Sequence, residues 1–87
     1  MTTFRLGRLL ATPGALSALT PDTLLTIIQR HARRDWGYLC DGDLAGNEDA
    51  LLDGSQFLSA YALQDATVWV ITEADRIATT VLLPEKY

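Results

Sequence analysis

The chain has 87 residues, 48% of them apolar and 21% charged, with a mean hydropathy of +0.10. That is a single domain spanning residues 1–87, too short to hold a separate cofactor domain and too apolar for a disordered segment. Eleven acidic and seven basic side chains leave a net charge of −4, which makes duplex nucleic acid an unlikely ligand, because such binding neutralises many phosphates with Lys and Arg.

Residues Phe4 to Ala11 read as a strand, bounded by Pro13-Gly14. Arg5 and Arg8 ahead of Leu9-Leu10-Ala11 imitate a signal peptide. However, Thr12-Pro13-Gly14 interrupts the apolar run, and no run approaches the length of a membrane span. Thr12-Pro13 and Thr20-Pro21 each place a hydroxyl cap before a proline at the first helical position. They predict a short helix over 13–19 and a longer one over 21–34. In the longer helix Leu24, Ile27, Ile28 and His31 share one face, Gly37 supplies a stop, and Arg30, Arg33 and Arg34 complement the dipole at its end. The acidic stretch from Asp41 to Gly54 predicts a turn and a short helix.

After Gly54 the pattern becomes that of strands, at 56–63, 67–72 and 76–83, separated by 64–66 and 73–75. The expected fold is α+β: short helices on one face of a three- to four-stranded antiparallel sheet that ends in a β-meander. Val68-Trp69-Val70-Ile71 and Val81-Leu82-Leu83 are unbroken apolar runs, so both sheet faces carry apolar side chains. The helices cover one face. Either the other, with Trp69 and Ile71, is covered by the first strand, a second copy or another protein, or two short helices wrap round an edge of the sheet.

Metal chemistry finds little footing. Asp41, Asp43, Gly46, Asn47 and Asp49 partly imitate a calcium loop, but Ala45 and Leu52 stand where oxygen ligands are needed. His31 and Cys40 are one histidine and one cysteine, too few for a structural zinc. No metal and no cofactor is expected. The lone thiol of Cys40 forms no intramolecular disulfide and fits a reducing cytoplasm.

Two sets of residues could carry function. Arg30, Arg33 and Arg34 beside Trp36 and Tyr38 form a basic patch whose aromatic could stack on a base or a partner side chain, and Trp69, Asp75 and Arg76 offer further binding groups. Alternatively, His31 as general acid or base, Glu73 as its partner and Arg76 as the cation facing a phosphorane would make a metal-independent ribonuclease. In its order of elements the chain resembles barnase-like and toxin ribonucleases.

The segments Ala11-Thr-Pro-Gly-Ala-Leu16, Arg30-His31 through Asp35-Trp-Gly37, Leu58-Ser-Ala-Tyr61 and Trp69-Val-Ile-Thr-Glu-Ala-Asp-Arg76, together with Ala78-Thr-Thr-Val-Leu-Leu-Pro84, resemble a family of small uncharacterised proteins. These are encoded on bacterial plasmids, phages and integrative elements, and some are labelled restriction-modification components. The chain lacks a glycine-rich cofactor loop and the Asn/Asp-Pro-Pro-aromatic motif of a methylase. The resemblance implies a setting in mobile DNA. The expected function is a non-catalytic accessory or inhibitor protein that binds a host or element-encoded protein, with a homodimer as one form of that association and a toxin-type ribonuclease as the alternative.

Overall fold

A computed structural model of the chain describes residues 6–37, 41–63 and 67–83. Phe4, Arg5, Tyr38, Cys40, the 64–66 turn and Pro84 lie outside them. In chain order the elements are β1 (Arg8–Ala11), α1 (Pro13–Ala18), α2 (Pro21–Ala32), α3 (Asp41–Asp53), β2 (Phe57–Ala62), β3 (Thr67–Thr72) and β4 (Ala78–Leu82). The fold is α+β, with the three helices packed on a four-stranded sheet of order β1-β4-β3-β2.

Both Thr-Pro caps form as the sequence predicts. The Thr12 hydroxyl accepts from the Ala15 amide at 3.3 Å and the Thr20 hydroxyl from the Thr23 amide at 3.1 Å, satisfying donors that a helix start leaves open. The stop of α2 differs from expectation. The Arg34 amide bonds the His31 carbonyl and the Asp35 amide bonds the Arg30 carbonyl, a Schellman closure with Arg34 in the left-handed region at φ 65°. Gly37 serves another purpose: at φ 73° it lies so close to β2 that a Cβ there would come within 2.0 Å of the Ala60 carbonyl oxygen.

Strands β2, β3 and β4 form the expected antiparallel meander. β1 pairs with β4 in parallel, making the sheet mixed. It therefore extends the sheet at an edge and does not cover the second face. The stretch 41–53, expected as a turn and a short helix, is helical throughout and closes at Gly54, whose amide bonds the Ala50 carbonyl.

Strand parity fixes the core. Tyr61, Val68, Val70, Val81 and Leu83 point to the helix side and enclose Ala15, Leu19 and Ile27, with Leu24 and Ile28 packed at the margin. A second cluster joins Trp36, Phe57 and Ala50, with Leu44 against it. Among the described residues no helix is long and apolar enough to cross a membrane.

Candidate functional site

His31 projects from α2 onto the sheet and is completely enclosed. Its Nδ1 lies 2.5 Å from the Ser59 hydroxyl on β2 and its Nε2 lies 2.8 Å from the Thr72 hydroxyl on β3. Thr72 in turn meets the Thr79 hydroxyl of β4 at 2.8 Å, and Thr79 donates to the Leu6 carbonyl at 2.7 Å. A hydroxyl has one proton, so the directions from the Leu6 carbonyl back to the ring follow in turn. Thr79 spends its proton on Leu6, Thr72 donates to Thr79, and the imidazole donates from Nε2. A neutral His31 therefore carries its proton on Nε2 and accepts from Ser59 at Nδ1. Burial favours the same state, pushing its pKa down to about 4 from 6.5. The chain of bonds ties α2, three strands and the segment before β1 together, and it leaves no imidazole nitrogen facing solvent.

The three residues of the ribonuclease reading do not converge on a cleft. Arg76, at the β3–β4 turn, holds its guanidinium 4.1 Å above the Phe57 ring and donates to the carbonyls of Ser55, Glu73 and Ala50. Phe57 stacks on Trp36 at 5.4 Å, and Trp36 meets the His31 ring edge-on at 5.4 Å. Two aromatic rings therefore separate the cation from the imidazole. The Glu73 side chain is exposed, and the Asp75 carboxylate accepts from the Ile77 amide within the turn.

The basic patch is divided in a similar way. Trp36 is buried, and its indole N–H points to Glu48, leaving no open ring face on which a base could stack. Arg30 makes a two-pronged bond to Asp35 and lies 4.6 Å from the Tyr61 ring centroid. That hydrogen bond from Arg30 holds the Asp35 carboxyl below its ordinary range. The Tyr61 hydroxyl donates to the Asp35 carbonyl at 2.6 Å, and burial raises its pKa to about 12. Arg30, Asp35, Gly37, Tyr61 and Ala62 line a shallow concavity of about 280 Å³. Arg33 and Arg34 are exposed.

Trp69 lies on the sheet face opposite the helices, between Ala60 and Leu82 in register, and is 37% exposed. Ile71 is half-buried on the same face, and Leu10 of β1 is 42% exposed there. Among the described strand residues whose parity points to this face, Arg8 alone is charged.

Sequence reasoning missed Ser59, Thr72 and Thr79, and placed Asn47 in a partial calcium loop without its role at the β2 edge. Parity offered a signal for the first three, since each follows or precedes apolar residues at a spacing of two on the inward side of its strand. Asn47 is buried and bonds both backbone groups of Leu58, donating to its carbonyl at 2.6 Å and accepting from its amide at 2.9 Å. No calcium loop forms, because its residues lie in α3. Among the described residues no group of three or more His, Cys, Asp or Glu could hold a metal ion. Comparison with family models, curated proteins and solved structures gives no match to this chain.

Proposed function

We propose that the protein is a non-catalytic binding protein that engages a protein partner through the helix-free face of its sheet. The observation that carries this reading is Trp69, 37% exposed at the centre of a face whose other described strand residues are uncharged apart from Arg8. Exposed tryptophan on a rigid sheet is the kind of anchor that dominates protein interfaces. A face with one cation among its described strand residues offers little track for phosphates, and the net charge of −4 points the same way. In the mobile-DNA setting implied by the family resemblance, the partner is a host defence or regulatory protein, and the chain acts in the cytoplasm as an accessory or inhibitor. The alternative of a toxin-type ribonuclease draws no support from the placement of His31, Glu73 and Arg76.

The test compares the wild-type chain with Trp69→Ala in pull-downs from bacterial host lysate, after thermal melts establish that the variant is folded. A partner held by the wild-type chain should bind the variant more weakly by about thirtyfold, the loss of a hot-spot tryptophan worth about 2 kcal/mol. Equal recovery of the partner by both would overturn the assignment of the face. RNA cleavage by the purified protein, abolished in a folded His31→Ala variant, would overturn the non-catalytic reading itself.

A further inference from the structure

We propose that β1 pairs antiparallel with β1 of a second copy of this chain, across a twofold axis at Leu10, so that two four-stranded sheets join into one of eight strands. The inference rests on hydrogen-bond accounting at the two sheet edges and goes beyond the binding face assigned to Trp69.

At the β2 edge the outward backbone groups belong to Leu58, Ala60 and Ala62. The carboxamide of Asn47 occupies both groups of Leu58, and Trp36-Gly37 bridges Ala60, whose amide donates to the Trp36 carbonyl at 3.0 Å. A strand approaching that side meets side chain and backbone already in place. The β1 edge differs. Arg8 and Thr12 donate to the Ile77 and Val81 carbonyls of the β4 side, so by strand parity Leu10 faces β4 as well and Leu9 and Ala11 turn their amides and carbonyls outward. No described residue pairs with that side. The strand also exposes large apolar side chains on both faces, Leu9 at 54% and Leu10 at 42%.

The outward groups of this edge are self-complementary in antiparallel register. In antiparallel pairing, residues opposite each other point to the same side, so an axis at Leu10 places Leu9 opposite the second copy's Ala11, and Ala11 opposite its Leu9. Each of those pairs exchanges two hydrogen bonds, using all four outward groups of the strand on each copy. The two Leu10 side chains meet on the helix-free face. An axis at Leu9 would instead use Gly7, whose φ of 66° ends the strand. The charged residue of β1, Arg8, falls opposite Thr12 of the second copy, so no like charges meet across the seam.

Sedimentation velocity and light scattering on the full chain, in a concentration series reaching about 0.5 mM, should show the mass rising from 9.6 kDa to twice that value. Leu9→Pro removes an outward amide while leaving the bonds to β4 intact, and Leu9→Lys places a charge on the edge without removing the amide. Each should raise the dissociation constant at least tenfold, with circular dichroism and melting unchanged. In a sample mixing labelled and unlabelled chains, an intermolecular cross-peak should join the α-protons of the two Leu10 residues. A monomer throughout the series, or a dimer lacking that cross-peak and unaffected by either Leu9 variant, would overturn the proposal.

Discussion

An exposed histidine would be partly charged in neutral solution, whereas His31 is held neutral by its enclosure. Its pKa is about 4 in the fold against 6.5 for the free side chain. Between those values the unfolded chain binds a proton that the folded chain refuses, so stability rises with pH across this window. The contribution is fully present above about 6.5 and is lost as pH falls towards 4, an amount on the order of 3 kcal/mol. Urea midpoints taken between pH 7.5 and 4 should fall steadily through that range. A flat profile would mean that water reaches the imidazole. The loss is large for a domain of this size, in which marginal stability is the rule.

Helix α3 contributes to stability through its contact with the sheet edge. It presents Leu44, Asn47 and Ala50 to the rest of the fold at a spacing of three: Leu44 and Ala50 pack in the cluster with Trp36 and Phe57, and Asn47 bonds the strand backbone. Asn47→Ala would strip Leu58 of both its edge partners. The expected cost is about 1 to 3 kcal/mol, the range for leaving such groups unsatisfied, and the variant should aggregate more readily because its strand edge is uncovered. Denaturant unfolding and light scattering would check the two effects separately. The same residue explains why α3 was only partly legible from sequence. An asparagine at a core-facing position interrupts the apolar stripe that would mark a helix, and Gly42 and Gly46 lower the local propensity further. By contrast, the two Thr-Pro caps, the inward face of α2 and the three meander strands could be read directly, because each rests on neighbours within one turn or one strand. Trp69 was assigned to its face by parity alone. The partners of His31 were beyond reach. Ser59 and Thr72 lie 28 and 41 residues further along the chain, and only the strand register brings them to the ring.

At the scale of the whole molecule, the sheet is a local meander with one distant strand added. Everything from β2 to β4 pairs with its sequence neighbour, while β1 pairs with the last strand and Thr79 bonds the Leu6 carbonyl 73 positions away. This seam sets an order of events during synthesis. β1 leaves the ribosome well before β4, its hydrogen-bonding partner, so the nascent chain carries Leu9 and Leu10 unpaired by that strand until β4 has followed. Such distant pairing is slow and leaves apolar segments open meanwhile. A chain ending at Ile77 should therefore lack cooperative unfolding and be cut rapidly by protease, although it keeps all three helices and three of the four strands. Limited proteolysis of that truncated chain beside the longer one would show whether β4 closes the domain, which makes the arrival of that strand the step that commits the domain to fold.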